Sequence, residues 1–119
     1  MTTTDPTLWS GSPQAEPALL ASCDRASGER VFPPLPAHSP LAARYETVPI
    51  DRVGRVYSYT VIHPAAKTGL APYVLGYVDF PGPVRIFGRI RGADHPAIGA
   101  RVVARPDADY GYVFEAAAA

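Results

Sequence analysis

The feature that most constrains this chain is a succession of short segments rich in β-branched and aromatic residues, each cut off by proline or glycine. It runs from Tyr45 to the C-terminus. Fourteen prolines and ten glycines among 119 residues leave little room for long helices. The strongest segment is RVYSYTVIH at 55–63, followed by YVLGYVDF over Tyr73–Phe80, VRIFGRIR over Val84–Arg91 and GARVVAR at 99–105. Weaker strands are expected at 45–50 and 112–115. Pro81-Gly82-Pro83 makes a tight turn of the kind that joins antiparallel neighbours. Strands this short and numerous, with no helical period, predict an all-β fold. A small open sheet would leave unprotected edges, so closure into a five-stranded OB-type barrel is expected over 44–116. Gly76 and Gly88 fall mid-strand, where glycine marks a bulge or a barrel corner.

Before the barrel the texture differs. Residues 1–17 are Thr-, Ser-, Pro- and Gly-rich and read as an arm, with Leu8 and Trp9 as its apolar anchors. Trp9 is a candidate for docking, either on the chain's own barrel or on a partner. Residues 18–43 hold a short strand or helical turn at 18–22, a turn at Gly28 and a brief strand at 30–32, and then a proline-rich stretch. Formal charge is zero, from eleven basic and eleven acidic side chains, which weighs against a nucleic-acid footprint over the whole surface. The single cysteine, Cys23, forbids an internal disulfide and fits a reducing compartment. No apolar run approaches the ~20 residues that span a bilayer. Residues 1–14 lack the basic-then-apolar pattern of a secretory signal, so a cytoplasmic location is expected.

Alternation assigns faces. Within Val84–Arg91 the residues Val84, Ile86 and Ile90 should point inward, and Arg85, Phe87, Arg89 and Arg91 outward. Guanidinium groups beside an aromatic ring can bind phosphates; equally, they can be a solvated face paired to Asp79 and other acids. Strict alternation puts Tyr57, Tyr59 and His63 on one face of 55–63, and Tyr73 and Tyr77 on one face of the next strand. Such tyrosines serve as a stacking platform, as a protein interface or as half-buried barrel residues. His63 has no Asp, Ser or Cys nearby in sequence that makes a triad, and no Walker loop, dinucleotide fingerprint or HExxH motif is present. Sequence alone offers no catalytic residue.

Several pieces, taken in order, carry a resemblance: Phe32-Pro33-Pro34, the block 54–63, Ala71-Pro72-Tyr73-Val74, the strand at 84–92 and Ile98-Gly99-Ala100-Arg101-Val102. Over about 8–116 the chain resembles the OB-fold acyl-CoA-associated proteins, which pair a rubredoxin-like zinc ribbon with a C-terminal OB barrel. The resemblance implies a degenerate ribbon at 18–43. Cys23 is present, but Ala26 stands where its knuckle partner would be, and the second pair falls at His38 and Leu41. A structural zinc needs four ligands. No bound zinc and no other cofactor is therefore expected, with Leu20, Val31, Phe32 and Leu41 packing in the metal's place. The family further implies a non-catalytic accessory subunit in a hetero-oligomer with a thiolase-like protein: a condensing enzyme, an acyltransferase or a steroid side-chain aldolase. The shared ligand is acyl-CoA, in lipid or steroid metabolism. On that basis Tyr57, Tyr59, His63, Tyr73, Arg85, Phe87, Arg89 and Arg91 are candidates for CoA contact or partner interface. The alternative is a single-stranded nucleic-acid-binding OB module, which near-absence of lysine, Lys67 being the only one, counts against.

Overall fold

A computed structural model of the chain describes residues 8–10 and 17–117. The arm expected at 1–17 lies mostly outside the described residues. Among the described residues, eight strands form two antiparallel-dominated units: β1 (Leu20–Asp24), β2 (Arg30–Val31), β3 (Tyr45–Pro49), β4 (Val53–Ile62), β5 (Tyr73–Phe80), β6 (Val84–Arg91), β7 (Arg101–Asp107) and β8 (Gly111–Ala116). The last five close a barrel in the order β4-β5-β6-β8-β7, with β7 pairing back to β4. One parallel pair, β6 with β8, lets the chain close on itself; the other barrel pairs are antiparallel. This is the Greek-key arrangement of an OB fold. β5 and β6 have the bounds expected from sequence, because both combine regular alternation with proline or glycine at their ends.

The domain boundary differs from the expected one at residue 44. β3 does not join the barrel; it pairs with β1 from Leu20↔Pro49 to Asp24↔Tyr45, giving a separate three-stranded sheet in the order β2-β1-β3. A five-residue β-rich segment reads the same in either sheet, so only the pairing decides. Two buried residues, Trp9 and Leu19, bridge to each other at the seam. The Trp9 indole N–H donates to the Gly111 carbonyl at 2.8 Å, and the Ile50 N–H to the Leu19 carbonyl at 2.7 Å. Phe32 adds an edge-on contact to Tyr112, with ring centroids 5.3 Å apart. Trp9, at 1 % exposure, is thus part of the core and not a surface anchor for a partner. The reason is economical: its large apolar surface is buried and its one polar atom is satisfied by a carbonyl on β8.

The barrel interior is filled by Val56, Val74, Val78, Phe80, Val84, Ile86, Ile90, Val102, Ala104 and Phe114, all buried. Each fully buried Val, Ile or Phe contributes about 1.5–3 kcal/mol of transfer free energy. Gly76 and Gly88 pair with each other across β5 and β6. A Cβ on Gly76 would lie 2.5 Å from the Ser58 carbonyl oxygen, and one on Gly88 would lie 2.8 Å from the rings of Tyr112 and Phe114. Both glycines are there for close approach across a tight barrel.

The small sheet is held differently. Leu41, expected to pack inside it, is 47 % exposed. Its stability instead uses two buried polar residues, Ser22 and Asp24. The Ser22 hydroxyl accepts the Leu35 N–H at 2.8 Å. One Asp24 oxygen accepts N–H groups of Ala26 (2.8 Å) and Ser27 (3.4 Å), and the other meets the Arg44 guanidinium at 3.4 Å. The Ala26 N–H above all holds the Asp24 carboxyl below the usual carboxylate range, against an opposing effect of burial. This carboxylate organises the turn at 24–27, where the family resemblance would place a metal knuckle. Among the described residues no three His, Cys, Asp or Glu side chains cluster as a metal site. Cys23 is half-buried with its thiol against the Gly28 carbonyl, and His38 is exposed.

Candidate functional site

The outer face of β4, β5 and β6 is where the candidate residues converge. Register fixes who is beside whom: Ser58, Tyr77 and Phe87 lie in one row, Asp79 and Arg85 in another, Leu75 and Arg89 in a third. On β6 the expected faces are observed: Val84, Ile86 and Ile90 are buried, while Arg85, Phe87 and Arg91 are exposed and Arg89 half-exposed. Tyr73 and Tyr77 also share the outer face, with Tyr73 half-buried and Tyr77 exposed.

On β4 the faces change partway. The pairing passes from Val56↔Val78 to Ser58↔Tyr77, so a β-bulge sits at Tyr57. One extra residue reverses the alternation after it. Tyr57 stays outside at 50 % exposure, whereas Tyr59 and Val61 turn inward and pack against the core. Tyr57 and Tyr59 therefore do not form one platform. His63, beyond the end of β4, is exposed and makes no hydrogen bond to a described carboxylate, hydroxyl or thiol.

The result is an aromatic face on which Tyr77 and Phe87 touch and Tyr57 lies under the Arg85 guanidinium. Tyr57, Tyr77 and Phe87 are each about half exposed (50, 45 and 46 %). Tyr77 and Phe87 pack edge to face with centroids 5.0 Å apart. Three half-exposed rings on one sheet face are unusual on a surface that meets only water.

The three arginines of β6 differ sharply in what they touch. Arg85 is committed: its Nε and Nη2 bond both oxygens of Asp79 at 2.6 and 3.1 Å, and its guanidinium carbon lies 3.5 Å from the centre of the Tyr57 ring. This is the paired solvated face that sequence left open as one reading. Arg91 approaches Asp107 at 3.8 Å. Arg89 has no carboxylate partner among the described residues. It sits between the rings of Tyr73 and Tyr110, 4.8 and 5.6 Å from their centres, and donates one hydrogen bond to the Tyr110 hydroxyl at 3.1 Å.

Beside Arg89 opens a cleft of about 530 Å³ lined by Leu70, Tyr73, Leu75, Phe87, Tyr110 and Tyr112, with Gly88 in its floor. The Tyr112 hydroxyl donates to the Phe87 carbonyl at 2.6 Å, and burial pushes its pKa up, so this phenol stays neutral. Tyr110 and Tyr112 were not singled out by sequence. The signal present was Tyr110-Gly111-Tyr112 at a turn, which reads as punctuation until the β6–β8 pairing brings it beside Arg89.

With this geometry in place the comparisons are decisive on family. Residues 47–106 match the profile of the ChsH2 C-terminal OB-fold domain. The chain belongs to that family. The BbsA subunit of benzoylsuccinyl-CoA thiolase from Thauera aromatica is 36 % identical over 67 residues, which cover 56 % of this chain and 46 % of that protein. The BbsA subunit from Geobacter metallireducens is 43 % identical over 49 residues, 40 % of this chain and 33 % of that protein. The aligned regions thus span less than half the length of these curated relatives. Among solved structures, a chain of an Ltp2-ChsH2(DUF35) aldolase superposes with a TM-score of 0.64 at 28 % identity, covering 85 % of this chain and 86 % of that one. These relatives are subunits of thiolase and aldolase assemblies. Among the described residues no helix is long and apolar enough to cross a membrane.

Proposed function

We propose that the chain is a non-catalytic accessory subunit of a thiolase- or aldolase-type acyl-CoA enzyme, and that it docks through the outer face of β4–β6. The observation that carries this reading is the exposed Tyr57–Tyr77–Phe87 patch on a barrel whose relatives are subunits of such assemblies. Aromatic residues clustered on a rigid sheet are what interface cores are made of, since they bury much area at little entropic cost. The Arg85–Asp79 pair at the edge of the patch fits a polar rim, contributing register more than affinity. In this reading the partner supplies nucleophile and base and binds the acyl-CoA, and the barrel helps position it. Arg91, loosely paired at 3.8 Å and half exposed, is the candidate for a CoA phosphate.

The nucleic-acid reading is weaker. Two of the three β6 arginines face carboxylates, and the net charge is zero, so no continuous basic track follows the aromatic patch. Co-expression with a thiolase-type subunit encoded beside it, followed by co-purification, tests the proposal. A stoichiometric complex whose thiolase activity falls when this chain is withheld is the expected outcome. A chain that elutes alone beside a fully active partner would end the accessory reading.

A further inference from the structure

The cleft beside Arg89 adjoins the flat aromatic patch and shares Phe87 with it, but its concave shape calls for a different occupant. We propose that it is a binding site for a small aromatic carboxylate, with the ring held among Tyr73, Tyr110 and Tyr112 and the carboxylate on Arg89. The site stands on its own geometry and does not require the docking reading.

Size comes first. About 530 Å³ falls within the range of small-molecule sites and suits a one- or two-ring ligand. The walls are largely apolar, and the Tyr112 wall is rigid: its hydroxyl is tied to the Phe87 carbonyl and its ring is packed against Phe32 and Phe114. Gly88 in the floor allows the Tyr112 ring to lie against the β6 backbone, since any Cβ there would lie 2.8 Å from it.

Charge decides the ligand class. Arg85 and Arg91 each have an acid beside them; Arg89 has tyrosine rings and one phenol instead. Aromatic faces hold a guanidinium in place without neutralising it or consuming its N–H donors. Among the described residues, only one of the five donors of the Arg89 head is spent on a hydrogen bond, to the Tyr110 hydroxyl. A planar fork with open N–H groups at the edge of an apolar cleft matches a carboxylate, which accepts two parallel hydrogen bonds. Rings on either side lower the local dielectric and strengthen that pairing.

The test uses the full chain, with ¹⁵N-edited NMR titrations of phenylacetate, its neutral isostere phenylacetamide, and adenosine bisphosphate. Expected are saturable phenylacetate shifts centred on Leu75, Gly88 and residues 110–112, with Kd below about 1 mM. Phenylacetamide and the Arg89→Gln variant should each weaken binding at least about tenfold, because both remove the charge-assisted pair. Arg85→Gln should leave it unchanged. Equal affinity for acid and amide in the wild-type protein, or shifts scattered away from the cleft, would overturn the proposal. So would adenosine bisphosphate displacing phenylacetate and binding more tightly in an Arg89-dependent way, which would make the cleft a nucleotide site. None of these outcomes bears on co-purification with a thiolase-type partner, so the two proposals fail separately.

Discussion

The small sheet and the barrel are both β-structure of similar composition, yet different forces hold them. The barrel closes on itself and fills its interior with side chains such as Val78, Ile86, Val102 and Phe114. The sheet β2-β1-β3 has too few strands to enclose anything. It depends on the buried Ser22 and Asp24 for its turns and on Trp9 and Leu19 for its attachment. A closed barrel can be stable on apolar burial alone, whereas an appended sheet needs each of its few polar contacts.

The sharpest way to break this contrast is Trp9→Ala. The variant loses a fully buried indole and leaves the Gly111 carbonyl without its donor, so stability should fall by about 3–5 kcal/mol in denaturant unfolding. A negligible loss would mean that the barrel does not use the seam. Next in size is Gly76→Ala, whose Cβ would approach the Ser58 carbonyl to 2.5 Å and should cost about 1–3 kcal/mol, all of it in the barrel. Asp24→Asn should have a smaller effect, confined to the sheet: lower Tm and faster amide exchange at Ala26 and Ser27, with the barrel amides unchanged.

Asp24 also carries a pH signature. Its pKa is lowered in the folded chain, so the unfolded state binds the proton more readily. Its stabilising contribution is complete above the ordinary carboxylate pKa, about 3.9, and is lost as pH falls below that through the folded-state value. The acid limb of the stability curve should therefore be shallower in Asp24→Asn than in the wild-type protein. Smallest of all is the expected response to a chelator. If the carboxylate organises the turn as described, EDTA leaves Tm unchanged and purified protein carries no stoichiometric zinc; one tightly held zinc per chain would refute this.

The same contrast explains what could be read from sequence. β5 and β6 were legible to the residue because alternation and proline or glycine stops agree there. β3 was legible as a strand but not as a member of the small sheet, since pairing partners leave no trace in a five-residue segment. Tyr59 was placed on the same face as Tyr57 because alternation assumes an unbroken period of two, and the bulge at Tyr57 adds a residue that composition does not announce. Trp9 was visible as an anchor, with its own barrel as one of two docks. Arg89 was grouped with Arg85 and Arg91, although only cross-strand neighbours distinguish an arginine facing an acid from one facing rings. Tyr110 and Tyr112 were missed because a long-range β6–β8 pairing brings them to the cleft.

The central claim is that the barrel face, and not the small sheet, meets the partner. Co-purification with a thiolase-type subunit should be compared for two charge-introducing variants: Tyr77→Glu combined with Phe87→Glu on the barrel face, and Leu41→Glu at an equally exposed position on the sheet side. All these positions are about half exposed, so Tm should stay near wild type in both. The barrel-face variant should elute alone while Leu41→Glu remains in the complex. Retention of the barrel-face variant, with loss of the complex in Leu41→Glu, would contradict the account.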